Sequence, residues 1–309
     1  MRTTISSCIF LLAFLPNQGC QTKTAQFERT QAVINGQKFE FLTTFQLFDN
    51  YVAQQTNSDV VSGSNELLYE PLQREILTNA EAAFMFETIR TPYQPGTLLE
   101  KELLELRKSD VVAVAEEALQ SITSALPGPD TKIIFMPANP VMHDFFSKYG
   151  ICINAVTVGS GKIIVQIDPT FQQWREMLPR VIAHEYHHSV WIARHWKNAD
   201  FSVLEYLVFE GRADAFANTL YRNIRSPWTA MINEEQERSV WKRIRPELFA
   251  RGREKVSAVL ISDPGIPAGS LYTIGFNIVR SFKQVNPHYT DKEIIDLEAE
   301  DIFKLSKYD

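Results

Sequence analysis

The chain has 309 residues, of which 45% are hydrophobic and 11% are aromatic. This composition can supply a large buried core and excludes a disordered or fibrous protein, and the length fits one large domain or two modest ones. The formal net charge of -6, with no long run of lysine or arginine, gives no electrostatic surface for a nucleic-acid partner.

Residues 1–20 have the pattern of an export signal. One early positive charge precedes an apolar run, Ile9–Leu15, which is too short to cross a bilayer because a spanning helix needs roughly 20 apolar residues. A glycine directly before Cys20, followed by a polar stretch, resembles a bacterial lipoprotein signal, which implies lipidation of Cys20 and a membrane anchor. Asn17 and Gln18 depart from that pattern, so simple secretion and an uncleaved segment remain alternatives.

A break in the pattern follows the first third of the chain. Residues 21–95 form an N-terminal region that is mixed and then helical, and the segment TPYQPG at Thr91–Gly96 contains two prolines and a glycine. We therefore predict a domain boundary here and a second domain at residues 96–309. Its first element is predicted to be one long helix, Leu98–Leu126, because apolar residues recur there at helical spacing.

The next elements predict a small sheet followed by helices. KIIFMP, ICINAVTV and KIIVQI are short β-branched runs, and GSG joins the last two as in a β-hairpin. Cys152, the only cysteine after the first 20 residues, is expected to be a buried strand residue without a disulfide partner. The helical pattern returns over Phe171–Trp196, with Pro179 expected early, where its missing N–H is harmless. Further helices are predicted over residues 201–222, 272–285 and 291–305. The fold class is therefore α+β, mainly helical with a small sheet before the histidine-bearing helix.

The segment HEYHH satisfies the motif H-E-x-x-H. On a helix, His184 and His188 point from one face one turn apart, so both imidazoles can reach one tetrahedral zinc ion. Glu185 projects beside the metal, where a carboxylate can take a proton from water. His187 is expected to be a bystander, either close behind the ligands or at the surface.

Two histidines do not complete a catalytic zinc site, which normally has three protein ligands and one open position. His195 is near in sequence, but an uninterrupted helix puts it about 10 Å further along the axis. On a later helix, Glu210 and Asp214 share a mostly apolar stripe, where two carboxylates are costly to bury unless a cation compensates them. Glu205 is the rival ligand, but it lies about 140 degrees away from Glu210 on the helical wheel.

HEYHH followed by EGRAD resembles the gluzincins, the thermolysin-like clan of zinc metallopeptidases. More narrowly, HEYHHSV, LEYLVFEGRADAFA and GSLYTIGFNIVRSF resemble a bacterial family of predicted zinc-dependent proteases catalogued as a domain of unknown function. The similarity covers roughly residue 98 to the C-terminus and implies a zincin-like domain. It implies His184, His188 and Glu210 as zinc ligands, Glu185 as catalytic base, and Asp214 as the partner of the first histidine.

The residue that would stabilise the oxyanion is not given by this resemblance. Thermolysin has an asparagine where this chain has Phe209, and the only histidine after Glu210 is His288. Tyr272, Tyr206 and Arg212 are the candidates, and Tyr272 is preferred. In this clan an edge strand before the zinc helix pairs with extended substrate, which makes KIIVQI a candidate for that strand, although core packing explains it equally well.

The sequence thus predicts a zinc-dependent hydrolase of peptide bonds in a peptide or protein substrate, exported and anchored at the outer side of the cell membrane, or otherwise secreted. A catalytically weak metal- or peptide-binding envelope lipoprotein is the alternative, and hydrolysis of a non-peptide amide is a third reading. His143 is expected to be structural or exposed. The oligomeric state is left open.

Overall fold

The computed structural model describes residues 27–54, 59–196 and 200–308. The predicted signal segment and Cys20 lie outside the described residues. The architecture is α+β, as predicted, with a mixed sheet in the N-terminal half and helices in the rest of the chain. Among the described residues, no helix combines the length and the apolar character needed to cross a membrane.

A five-stranded sheet lies at the centre of the N-terminal half. Its strands are β1 Glu28–Ile34, β2 Gln37–Thr43, β3 Thr131–Pro137, β4 Ile153–Gly159 and β5 Lys162–Ile167. The strand order is β1-β2-β3-β5-β4. β2, β3 and β5 run parallel, whereas β1 and β4, at the two edges, are antiparallel to their neighbours. The predicted hairpin is confirmed: it joins β4 to β5.

Helices cover both faces of this sheet. The helices up to the sheet hairpin are α1 Phe45–Gln54, α2 Val60–Ser64, α3 Glu70–Ile76, α4 Thr97–Lys108, α5 Val111–Ala125 and α6 His143–Tyr149. Apolar side chains of α1, α3 and α4 pack on one face, which includes Leu42, Ile134 and Ile164. α5 and the histidine-bearing helix α7, Trp174–His195, pack on the other face, which includes Phe135 and Val165. A strand that is buried on both faces has a nearly continuous apolar sequence, which explains the apolar sequence KIIVQI of β5.

The C-terminal half is a second apolar core made of helices. It contains α8 Val203–Leu220, α9 Glu234–Ile244, α10 Arg253–Leu260, α11 Ser270–Val285, α12 Asp291–Ile294 and α13 Ala299–Ser306. Short π and 3₁₀ segments connect the longer elements: Asn65–Tyr69, Ala83–Ile89, Pro140–Met142, Trp228–Ala230 and Arg245–Glu247. α8 begins with a capping box, in which Ser202 and Glu205 exchange side-chain-to-backbone hydrogen bonds.

Four expectations about the elements were wrong in detail. The predicted helix Leu98–Leu126 is two helices, α4 and α5, because the backbone at Ser109 is extended and Asp110 starts a new helix. KIIVQI is not an edge strand, because β5 lies between β3 and β4, and the edge is β4. The segment 291–305 contains two short helices, α12 and α13, rather than one. Pro179 lies inside α7, as its sixth residue, and not in the first turn.

Cys152 is buried, as expected, with 2% of its surface exposed, and lies directly before β4. Burial, followed by the nearby negative charge of Asp168, raises the pKa of its thiol to about 12. The predicted boundary near residue 96 stays a prediction. β1 and β2 precede it, yet they belong to the same sheet as β3, β4 and β5, which follow it.

Candidate metal centre

Two imidazoles converge on the side of α7 that faces α8. His184 and His188 are four residues apart, and their rings meet edge to face with centroids 4.6 Å apart. Their Nε2 atoms are 2.9 Å apart. Helical geometry therefore directs both Nε2 atoms to the same point in space.

α8 brings a carboxylate to that point. Glu210 Oε2 lies 3.4 Å from His184 Nε2 and 3.3 Å from His188 Nε2. Glu210 is 4% exposed, so a carboxylate is buried against two ring nitrogens. Burial opposes its charge, but the adjacent imidazoles of His188 and His184 lower the pKa of Glu210 to about 2. The rival Glu205 instead caps α8 and pairs with Arg251 at 3.0 Å.

The close approach of α8 and α11 shapes the wall of this site. A Cβ atom added to Gly211 would lie 2.1 Å from the carbonyl oxygen of Gly275, and one added to Gly275 would lie 2.2 Å from that of Leu207. The two backbones therefore touch where each helix has a glycine. This contact places the first turn of α11, which carries Tyr272, beside the helix that carries Glu210.

A hydroxyl group of the edge strand holds the carboxylate of Glu185. Thr157 Oγ1, on β4, donates to Glu185 Oε2 at 2.8 Å and lies 2.8 Å from the backbone carbonyl oxygen of the same residue. Glu185 is 7% exposed. The carboxylate next to the two histidines is thus kept in one orientation by the sheet.

Asp214 lies behind His184, one turn after Glu210. Its Oδ1 is 3.5 Å from His184 Nδ1 and 3.6 Å from Arg180 Nη2. The side chains of Asp214 and Arg180 are each 3% exposed, so their ion pair is buried. Burial opposes the charge on His184, but Asp214 and then Glu210 raise its pKa well above the ordinary value. Asp214 therefore holds the His184 ring at Nδ1, while Nε2 of the same ring faces Glu210.

Two small clefts open beside these residues. One, of about 80 Å³, is bordered by β4, His184, Glu185, Asp214 and Tyr272. The other, of about 70 Å³, is bordered by β4, both histidines, Glu185, Glu210 and both candidate tyrosines. The edge strand β4, rather than β5, forms one wall of each cleft.

The chain matches a known family over most of this region. The model of the family described as "Predicted Zn-dependent protease (DUF2268)" matches residues 111–304, which contain all of the residues that converge at the site. The chain belongs to this family. The uncharacterized protein YjfC of Bacillus subtilis (strain 168) is 31% identical over 137 residues, which are 40% of this chain and 46% of that protein. The chain thus spans less than half the length of that relative. No solved structure matches the chain.

The three candidates for the oxyanion donor occupy different places in this member of the family of predicted zinc-dependent proteases. Tyr272 lines both clefts, and Tyr206 lines the one that contains Glu210. Burial and the negative charge of Glu210 raise the pKa of both phenols, so both are neutral hydrogen-bond donors near pH 7. Arg212 was a wrong candidate: it points away and donates to the carbonyl oxygens of Ile295 and Leu297.

The remaining aromatic and histidine residues surround the site without joining it. Phe209, which stands where thermolysin has an asparagine, stacks on His188 with ring centroids 4.0 Å apart. His187 is 2% exposed and packs on Phe216; its burial lowers its pKa well below the ordinary value, so it is neutral. His195 pairs with Asp296 at 2.8 Å. Among the described residues, the group of metal-ligating atoms here consists of His184, His188 and Glu210.

Two residues of this site were not predicted from the sequence. Arg180 lies four residues before His184, on the face of α7 that carries both histidines, so its spacing was a usable signal. Thr157 gave no such signal, because a threonine in a β-branched run is an ordinary strand residue. Its role depends on the packing of β4 against α7, which only the structure supplies.

Proposed function

We propose that this protein is a zinc-dependent metallopeptidase that hydrolyses peptide bonds. The observation that carries this proposal is the convergence of three ligand atoms, each 2.9 to 3.4 Å from the other two, in a cleft that Glu185 also lines. Membership of a family described as predicted zinc-dependent proteases supports the same conclusion.

The donor set fits zinc. Two imidazoles and one carboxylate form the ligand set typical of a catalytic zinc site with an open fourth position. Ligand atoms about 2.0–2.1 Å from a tetrahedral ion lie about 3.3 Å from one another, which agrees with the distances from Glu210 to His184 and His188. When bound, zinc supplies a Lewis acid that polarises a carbonyl group and lowers the pKa of water.

The side chains around this centre have separate tasks in hydrolysis. Glu185 accepts a proton from the attacking water and then returns it to the leaving amine, while Thr157 holds the carboxylate in place. Tyr272 donates a hydrogen bond from its phenolic O–H to the oxygen that gains negative charge as the water attacks. Asp214, itself paired with Arg180, fixes the orientation of the His184 ring.

The shape of the surrounding surface favours an extended peptide as the substrate. β4 is an edge strand, and the carbonyl oxygen of Val158 already accepts a hydrogen bond from the N–H of Ala82, so a peptide would pair with the part of its outer side that precedes Val158. An apolar groove of about 490 Å³, lined by Phe84, Met85, Phe201, Tyr206 and residues of α10, continues from the cleft that contains Glu210. We expect cleavage beside apolar side chains that can fill this groove.

An extracytoplasmic location remains part of the proposal. It rests on residues 1–20 alone, in which Cys20 is the proposed site of lipidation and membrane anchoring. The expected partner is a peptide or protein, not a nucleic acid.

Digestion of a peptide library, with the zinc content of each protein measured, tests the activity. Glu185→Gln should lower kcat/KM by about 10²–10⁴-fold with zinc retained, because a general base is lost but no ligand is. Glu176→Gln, an exposed position on the same helix, is the matched control and should cleave normally. Cleavage by all three proteins would indicate a contaminant. Cleavage by none, with zinc bound in all, would refute the peptidase and support a metal-binding envelope protein.

A further inference from the structure

A second cluster of metal-ligating side chains lies apart from the HExxH centre. It contains Glu102 of α4, His143 at the start of α6, and Asp168 directly after β5. One ligand atom from each residue lies within 4.8 Å of the other two. None of these residues belongs to the site described above.

Glu102 is the unusual member of this cluster. It is 0% exposed, and neither of its carboxylate oxygens has a hydrogen-bond partner among the described residues. An unpartnered buried carboxylate is costly, since water has been removed and nothing replaces it. Burial, and then the charge of Asp168, raise the pKa of Glu102 to about 9.

The other two residues are arranged around it. Asp168 is also 0% exposed; its Oδ1 accepts hydrogen bonds from the backbone N–H and the hydroxyl of Thr170, and its Oδ2 lies 3.0 Å from His143 Nδ1. The imidazole is 34% exposed and packs on Phe171, so it forms the open side of the cluster. In the described part of the chain, the ion pairs place no lysine or arginine at either carboxylate.

Two kinds of cation can neutralise this pair of acids. A proton on Glu102 removes the charge but leaves at least one of its two oxygens without a donor, because neither oxygen has a hydrogen-bond partner among the described residues. A metal ion satisfies the carboxylates and the imidazole together. Among divalent ions, calcium and magnesium prefer ligands that are all oxygen, whereas an imidazole with carboxylates suits zinc or manganese.

We propose that Glu102, His143 and Asp168 form a second metal site, which binds a divalent transition ion such as Zn²⁺. The ion ties three segments together: α4, the carboxyl end of β5 and the start of α6. Because these segments are remote in sequence, the bound ion stabilises the N-terminal half of the fold. This site does not depend on the proposed peptidase activity.

Metal counting and thermal unfolding test this proposal with Zn²⁺ as the probe. The purified His184→Ala/His188→Ala protein, in which the first site is disabled, should still bind one zinc ion per chain. Zinc at about 100-fold above the dissociation constant should raise its melting temperature by about 5 °C. Adding His143→Ala should abolish both effects; this residue is partly exposed, so its loss should leave the fold intact.

A second variant and a control complete the experiment. Glu102→Gln keeps the shape of the side chain and should also lose the zinc ion, whereas Glu100→Gln, exposed on the same helix, should keep it. Absence of zinc binding in the His184→Ala/His188→Ala protein would overturn the proposal. Zinc retained after both His143→Ala and Glu102→Gln would overturn it as well. Stabilisation by Glu102→Gln without zinc binding would show that a proton, not a metal, neutralises the pair.

Discussion

Thr157 links the edge of the sheet to the carboxylate of Glu185 through a single hydroxyl group. Thr157→Val keeps the size and β-branching of the side chain but removes this donor. We expect kcat to fall by about 10- to 100-fold, because a hydrogen bond to a charged carboxylate contributes about 1.5–3 kcal/mol. Steady-state kinetics with measured zinc content gives the result. Thr157→Ser restores the hydroxyl and should recover most of the activity, and an equal loss in both variants would speak against this role.

Tyr272 lines both clefts, whereas Tyr206 lines the one that contains Glu210, and substitution of each residue separates their roles. Tyr272→Phe should lower kcat by about 10²–10³-fold with little change in KM, as for removal of an oxyanion donor. Tyr206→Phe is the matched variant and should have a much smaller effect on kcat. The opposite ranking would move the oxyanion role to Tyr206.

Residues whose spacing alone defines a chemistry were predictable from the sequence. His184 and His188 are one helical turn apart, and Glu210 and Asp214 repeat that spacing on an apolar stripe. In the structure the ligand atoms of His184, His188 and Glu210 meet at one point, and Asp214 lies behind His184. Arg212 could not be excluded in this way. Its direction depends on the carbonyl oxygens of Ile295 and Leu297, more than eighty residues later, and no local pattern encodes that contact.

At the scale of elements, the crossing of α8 and α11 depends on two glycines. Gly211→Ala or Gly275→Ala should lower the free energy of unfolding by about 1–3 kcal/mol, since the added methyl group would meet a backbone oxygen. The higher helix propensity of alanine offsets at most about 1 kcal/mol of this loss. Chemical denaturation measures the change.

Gly96→Ala is the control for these variants. Its backbone is extended, and no atom lies within 4 Å of an added Cβ. This substitution should leave stability nearly unchanged. If the two helix variants were equally neutral, the close contact between α8 and α11 would be refuted.

The elements whose pattern is local were predicted well, and those set by neighbours were not. The hairpin β4–β5 follows from two β-branched runs around GSG. The continuous apolar pattern of Leu98–Leu126 hid the break at Ser109, where a serine followed by an aspartate was the available signal. The interior position of β5 follows from pairing with β3, which is a long-range contact that periodicity does not report.

At the scale of the whole molecule, the region before residue 96 is integral to the sheet. β1 and β2 pair with it, and fully buried side chains such as Phe48, Tyr51 and Leu72 cover one of its faces. A chain that begins at residue 96 would expose this apolar face and the edge of β3. We expect it to be insoluble or to unfold without a cooperative transition.

A chain that begins at residue 27 is the control for this truncation and should unfold cooperatively, because it retains the sheet and both covering layers. Circular dichroism during heating distinguishes the two chains. A cooperative transition in the shorter chain would instead establish residues 96–309 as an independently folding domain.

The glycine contact between α8 and α11 also has a consequence for protein engineering. Because two backbones touch there, the distance between the helices that carry Glu210 and Tyr272 does not depend on the identity of those side chains. Glu210→His would change the donor set from two imidazoles and a carboxylate to three imidazoles while the supporting helices keep their positions. The crossing thus keeps the backbone around the proposed metal centre in place, so its metal preference could be redesigned by exchanging ligands alone.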